Sequence, residues 1–475
     1  MTLKRVARWL ALGIAAGAAW IGFMAPAQAI PVFARQTGHN CQACHISYPE
    51  LTAYGREFKL NGYTFGEAQP IPMAFAMMAE YTKPQDNTDH STGTPLCTTI
   101  GASCAAGQIT QYSIFYGGRL TENLGLFGQA SSGGFPIDSG GTCCNGLAAD
   151  NTELRYVHRF SSGVGTLEDD SVVGLLMNNN ATMQDVWQSA PAWRFPWFPY
   201  NGVSFGPQAS LFMEGGGPNQ IGDQAGDRSG VGIGAYAWYR KNFYAEVSFY
   251  RAPWGGPFSF LDYGAGQAGD ATMPSDTIDH WAPYERVAYS RDWDYSSLEV
   301  GLFGMQAKTY FDANVRDSSQ VQVFHDVGID FQYQYNKGEP WVFTTSASFF
   351  HETNTLDALA AAGLASQSNH TINEVNWRGT AYWERKYGLT LGYQSITGTS
   401  DPTLYGSGTA GGSATGSPGT TIWMAELNYL PMQDLRLSLF YNLYTKLNGG
   451  STNFDGLGNN ARGQSYWALA MWWVF

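Results

Sequence analysis

The residues with the most specific chemistry in this chain are Cys41-Gln42-Ala43-Cys44-His45. Two thiols at C-x-x-C spacing can each bond one vinyl group of a single porphyrin, and the histidine that follows directly then lies under the iron as an axial ligand. The order C-x-x-C-H therefore predicts one covalent haem c, attached at Cys41 and Cys44 and ligated by His45. A disulfide and half of a zinc site are the other uses of two such thiols, but no second C-x-x-C follows at zinc-finger spacing. For the sixth position of the iron the sequence offers Met78 first, with His39 and Met73 also near. A thioether ligand there would raise the potential relative to a second histidine; plain packing of Met78 is the competing reading. The remaining histidines (His90, His158, His280, His325, His351, His370) accompany no further C-x-x-C pair, so a single haem is expected.

The segment that must present this group is short. Between Ile30 and Pro70 lie about 40 residues, too few to bury a haem unaided, so the group needs a second body to lean on. After His45, Ser47 is placed to cap a helix whose first turn takes Pro49 and Glu50. Leu51, Tyr54 and Phe58 then recur on one face, toward the porphyrin or a surrounding wall, and Asn61-Gly62 ends the helix. Arg56 and Lys59 read either as partners of haem propionates or as solvated charges.

The second body is legible in composition and periodicity. With 57 glycines, 15% aromatic and only 14% charged residues, the chain departs from the roughly 25% charge of soluble proteins. From Ile71 the period becomes two: Phe75, Met77, Ala79 and Tyr81 alternate with Ala76, Met78, Glu80 and Thr82. Phe243, Ala245, Val247 and Phe249 alternate likewise with Tyr244, Glu246 and Ser248, and Leu435, Leu437 and Leu439 with Arg436 and Ser438. Strands about ten residues long, apolar on one face and polar on the other, describe an all-β fold, a transmembrane antiparallel β-barrel with lipid outside and a polar lumen. A soluble sandwich is the alternative.

Short links such as Lys241-Asn242 are assigned to the periplasm and long ones to the outside. Counting back from the terminal strand Tyr466 to Phe475, strand parity makes everything from Asn178 to about Ser229 one outer excursion, although Ala209 to Met213 looks strand-like. The count then becomes about 16. Two bodies are available to fill so wide a lumen: the excursion, which carries Trp187, Trp193, Phe195, Trp197 and Phe198, and the short helical haem c segment, expected as a plug. Glu80, Asp326, Asp330 and Glu374 on the polar faces read as attractors of a cation or as ordinary lumen lining.

At the N-terminus, Lys4, Arg5 and Arg8 precede an apolar run from Trp9 to Met24 and then Ala27-Gln28-Ala29, the pattern of a cleaved signal peptide. Cleavage after Ala29 removes three of 26 basic residues and none of the 39 acidic ones, taking the net charge from −13 to −16. That balance argues against nucleic acid as a partner. The expected division is a signal peptide at 1–29, a monohaem cytochrome c segment at 30–70 and an outer-membrane barrel at 71–475. Cys97, Cys104, Cys143 and Cys144 fall in the first two outer loops, an oxidising location that suits two disulfides of open pairing, with a metal site as the alternative.

Ala34-Arg35-Gln36-Thr37-Gly38, the C-x-x-C-H, Pro49-Glu50-Leu51-Thr52 and Tyr54 through Tyr63 together resemble the fused cytochrome–porin family, the monohaem outer-membrane cytochromes of iron-oxidising bacteria. Asn178-Asn179-Asn180 through Val186-Trp187 to Phe195-Pro196 is similar to that family's first-half loop. The resemblance is specific over residues 30–63, weaker over 178–196 and architectural elsewhere. It implies an Fe(II)-oxidising electron-transfer oxidoreductase in the outer-membrane lipid, passing electrons from extracellular Fe(II) to a periplasmic cytochrome c or copper protein. Only Cys41, Cys44 and His45 carry over residue by residue. A conduit for a different extracellular donor, and a haem-bearing diffusion channel, are the competing functions.

Overall fold

The computed structural model describes residues 32–86, 88–90, 93–95, 108–136, 147–160, 171–179, 184–190, 230–251, 278–312, 315–338 and 340–475. The four cysteines Cys97, Cys104, Cys143 and Cys144 lie outside the described residues, as do residues 1–29, expected as a signal peptide, and Ala209 to Met213.

Among the described residues, sixteen antiparallel strands close into one barrel. They are β1 (Met73–Pro84), β2 (Gln108–Arg119), β3 (Leu124–Pro136), β4 (Ala148–Phe160), β5 (Ser171–Asn179), β6 (Val231–Tyr239), β7 (Phe243–Arg251) and β8 (Ala282–Trp293). There follow β9 (Ser296–Tyr310), β10 (Val321–Asn336), β11 (Trp341–Thr355), β12 (Asn369–Trp383), β13 (Tyr387–Gly398), β14 (Thr420–Met432), β15 (Leu435–Lys446) and β16 (Tyr466–Val474). Each strand pairs with its sequence neighbours, and β16 closes on β1 with Met471 opposite Ala79. Val231 pairs directly with Asn179, so β5 and β6 are neighbours in the barrel, and among the described residues the chain between them adds no barrel strand, as strand parity requires.

Closure leaves no sheet edge unpaired, which lets a sheet cross lipid. The alternation works as expected: Phe243, Val247 and Phe249 are exposed on the outside, while Tyr244, Glu246 and Ser248 are buried inside. Near the short turns the outward aromatics meet in pairs, Trp341 with Trp383 at 4.8 Å and Tyr387 with Tyr429 at 5.2 Å, an interfacial girdle. By link length this rim is periplasmic and the opposite mouth faces outward.

The lumen departs from the uniformly polar lining expected. Its outer half holds an apolar core in which the inward Tyr250, Tyr284, Phe303, Phe324 and Phe350 pack against Leu356 and Leu359 of the β11–β12 connection and Leu404 and Tyr405 of the β13–β14 connection. These two connections fold back into the mouth, and there they bury apolar side chains against the wall. Polar side chains line both halves: Gln322, Glu352, Asn354 and His370 are buried beside that apolar core, and Glu299, Gln332 and Gln334 lie buried nearer the N-terminal segment.

Candidate functional site

The N-terminal segment enters the barrel from the short-turn rim and is built of α1 (Val32–Thr37), α2 (Cys41–Cys44) and α3 (Ala53–Leu60), with a small antiparallel hairpin of His45–Ser47 and Glu50–Leu51 between the last two. The helix expected from Ser47 onward is corrected: it begins at Ala53 and its cap is Thr52, whose hydroxyl accepts from Gly55 N–H at 3.2 Å. Ser47 instead receives Arg436 Nη1 at 3.0 Å. Leu51 consequently belongs to the hairpin rather than to a helical face with Tyr54 and Phe58. Asn61 ends α3, and Gly62 follows with φ +67°.

In α2, a single turn capped by the Asn40 side chain, Cys41 and Cys44 stand at i and i+3 and so share one face. Thr52 holds this turn from the far side, donating from Oγ1 to Ala43 O at 2.5 Å and from its backbone N–H to Cys44 O at 2.9 Å. Gly55 is required here, because a Cβ at that position would lie 2.2 Å from Cys44 O. From the short β12–β13 turn, Arg385 donates to Gln42 O at 3.2 Å. These contacts place the motif at the periplasmic rim of the lumen, with Gly38, His39 and Asn40 exposed beside it.

Burial raises the Cys44 thiol to about 11 and pushes Cys41 up as well. Burial also lowers His45 to about 4, against an opposing pull from the carbonyls of Pro49 and Glu50. His45 is therefore a neutral imidazole, the form that binds iron, and its buried Nδ1 has no hydrogen-bond partner among the described residues. Ile46 packs on Val342, Tyr382 and Leu430, while Tyr48 packs on Ala76 and Val474, so the hairpin is wedged between two stretches of wall. Two thiols on one helical face beside a buried neutral imidazole are a donor set that fits a covalent porphyrin.

Met78 lies buried on the lumen face of β1, two positions along from the Ala76 that packs against Tyr48. Met73 is exposed on the outer face, and His39 packs edge-on against Tyr54 at 5.2 Å. Arg56 and Lys59 are buried, which corrects the reading of them as solvated charges. Arg56 is buried and donates to Gln334 Oε1 at 2.7 Å and to Ser297 Oγ, and Lys59 pairs with Glu153 at 3.5 Å. Both anchor the plug to the wall. Arg436 does the same from the other side, bonded to both oxygens of Glu426 at 2.7 Å and to Tyr48 O.

A second body meets the plug from above. Residues 184–190 of the β5–β6 connection fold into the lumen, where Asp185 accepts the backbone N–H groups of Trp187, Ser189 and Ala190 at 3.0 Å each. Gln188 donates to Pro49 O and accepts from Leu51 N–H, both at 2.9 Å. The carboxylates singled out in the sequence, Glu80, Asp326, Asp330 and Glu374, all face inward and are buried; Glu80 accepts from Thr82, Asp330 from Arg286 at 2.6 Å and Glu374 from Asn376 at 2.9 Å. Gln188 went unnoticed in sequence, and Thr52 was read only as part of the resemblance and not as a cap, since neither stands in a periodic pattern. Arg436 was legible through alternation.

No protein-family model matches the chain, and no curated protein matches it. Among solved structures, OprB of Pseudomonas putida is similar at 10% identity and a TM-score of 0.48, over 85% of this chain and 94% of that one. OmpF of Salmonella typhi matches at 10% identity and 0.45, over 85% and 97%. The outer membrane channel DcaP of Acinetobacter baumannii matches at 10% identity and 0.42, over 85% and 97%. The chain thus has neighbours among outer-membrane barrels, and its own geometry carries whatever is said of its chemistry.

Proposed function

We propose that this chain is an outer-membrane cytochrome–porin that oxidises extracellular Fe(II) at one covalent haem c and delivers the electron to a periplasmic cytochrome c or copper protein. The observation that carries this reading is the position of C-x-x-C-H inside a closed membrane barrel, at its short-turn rim, with a buried neutral imidazole beside two thiols on one helical face.

Haem c, when bound, supplies a one-electron ferric–ferrous couple. The chain's own residues hold and shield it. Cys41 and Cys44 would carry the thioether bonds and His45 would ligate from the turn that Thr52 and Arg385 pin, with Met78 as the candidate for the sixth position. Arg56, Lys59 and Arg436 keep the plug seated in the wall, so that the ferric product stays outside a hydrocarbon layer about 30 Å thick. The exposed stretch Gly38 to Asn40 leaves the motif open to a soluble periplasmic acceptor.

Stopped-flow absorbance of the haem-loaded protein mixed with Fe(II) tests this. Reduced haem bands should appear rapidly in the native protein and be lost in His45→Ala. If a strong reductant works at once while Fe(II) in excess does not, iron is the wrong donor. Solute conductance of the loaded protein in planar bilayers would instead favour a diffusion channel.

A further inference from the structure

From the periplasmic girdle upward the outward face of the barrel is mostly apolar, but on the adjacent strands β9 to β12 it turns polar near the outer mouth. Along β10 the outward side chains run Tyr335, Tyr333, Phe331, Ile329 and Val327, and then comes His325, exposed. On β11 the run from Trp341 to Phe349 gives way likewise to His351 and Thr353. β9 passes from Val300 and Leu302 to Gln306 and Lys308, both exposed, and β12 from Trp377 and Val375 to Asn373. Pairing joins these residues into one patch. His325 stands opposite Gln306 on one side and Thr353 on the other, and His351 opposite Asn373, whose Oδ1 lies 2.7 Å from the imidazole Nδ1. From β9 to β12 the patch is about 14 Å wide at about 4.8 Å per inter-strand spacing.

The strand itself sets the height of the patch. From Tyr335 to His325 is about 33 Å along β10 at about 3.3 Å per residue, or about 25 Å along the membrane normal at a tilt of about 40°. The apolar band of such a barrel is about 25 Å tall, so the patch begins where hydrocarbon gives way to the head groups of the outer leaflet. Just below it Val327, Ile329 and Phe349 lie exposed to the lipid chains. In the outer halves of β13 to β16 the outward face carries aromatic pairs instead, Tyr393 with Trp423 at 4.6 Å and Tyr441 with Trp467 at 4.4 Å. Aromatic rings anchor a barrel at an interface without choosing a lipid. An ammonium group flanked by imidazole, amide and hydroxyl groups favours an anionic, oxygen-rich partner.

We propose that the outward patch on β9 to β12 binds the phosphorylated sugar head group of an outer-leaflet glycolipid, with Lys308 paired to a phosphate, His325 and His351 beside it, and Gln306, Thr353 and Asn373 bonded to sugar oxygens. The occupant is a lipid because the patch continues the lipid-covered band. It is a glycolipid because polar groups spread over four strands match a broad head group better than a single phosphodiester. Glu285, outward on β8 opposite Gly304, bounds the patch and repels the phosphate toward Lys308 and His325. The site needs the closed barrel and not the haem.

The test is native mass spectrometry of the purified full chain released from detergent micelles, with diphosphoryl lipid A, its dephosphorylated form and phosphatidylglycerol as separate probes. Diphosphoryl lipid A should be retained most and the dephosphorylated form least. Lys308→Gln should weaken that retention about fivefold, the worth of one basic residue at an anionic membrane surface, and Lys308→Gln combined with His325→Gln should weaken it further. Lys83→Gln, outward and exposed on β1 away from the patch, should leave it unchanged. Each variant alters only exposed side chains, and the migration of the unheated protein on a gel confirms that its barrel has closed. Undiminished retention in the double variant, or equal loss in Lys83→Gln, would overturn the site. Phosphatidylglycerol held as firmly as lipid A would overturn the glycolipid as its occupant, and dimers of the chain in place of lipid adducts would give the face to a second copy instead.

Discussion

The two halves of the lumen are filled by different physics. Toward the periplasm, the plug is held by directional bonds between buried charges and amides: Arg436 to Glu426 and Ser47, Arg56 to Gln334, Lys59 to Glu153, Gln188 to Pro49 and Leu51. Toward the outside, the connections add apolar burial, with Phe324 and Phe350 packed under Leu356, Leu359 and Tyr405, to polar bonds such as that of His370 with Asp401. Apolar contacts tolerate sliding, because their energy depends on area rather than angle. Hydrogen-bonded ion pairs specify a position, and an unpaired member is costly. A segment that must present side chains at defined angles is better served by directional bonds, and a segment that need only stay packed by apolar contact.

The largest effect should come from breaking the polar half. Arg436→Ala strands Glu426 as an unpaired buried carboxylate and releases Ser47 and Tyr48, with a cost of roughly 3–5 kcal/mol. Limited proteolysis should then cut the plug while the barrel stays intact, and haem attachment should drop; unaltered protection of residues 32–63 would contradict the division. Phe324→Ala should cost about as much, roughly 3–5 kcal/mol at most, but should expose the β11–β12 and β13–β14 connections and spare the plug. Mapping which segment loses hydrogen-exchange protection in each variant separates the two halves directly.

The smallest effect is one of pH. In the β13–β14 connection, burial alone would raise the Asp401 carboxyl, but hydrogen bonds from Leu404 N–H, Ser366 and His370 hold it down to about 2. Its folded value is depressed below an unfolded value of about 3.9, so its stabilisation is complete above that value and lost as pH falls through about 2. Protease protection of residues 399–419 should therefore persist at pH 3 and decline near pH 2. In Asp401→Asn that decline should flatten, and an unchanged profile would show that Asp401 does not govern it.

The chain's own pattern carried much of this. The five residues of C-x-x-C-H are contiguous, so the haem proposed for them needs no fold to be read. Period-two alternation, link length and strand parity are local or additive properties of the backbone, and they sufficed for sixteen strands and for placing no barrel strand between β5 and β6. What stayed hidden depended on partners far along the chain: Arg56 could be read as a solvated charge until Gln332 and Gln334 came round the barrel to meet it, and Ser47 looked like a helix cap until Arg436 claimed its hydroxyl. The apolar outer lumen was hidden for the same reason, since Phe324 or Phe350 on an inward face has no meaning until the loop above it folds down. Sequence alone determined the donor set and the barrel, because covalent spacing and strand pleat act over a few residues. Only closure of the barrel decided where the motif sits and what grips it, because that grip joins side chains hundreds of positions apart that nothing local brings together.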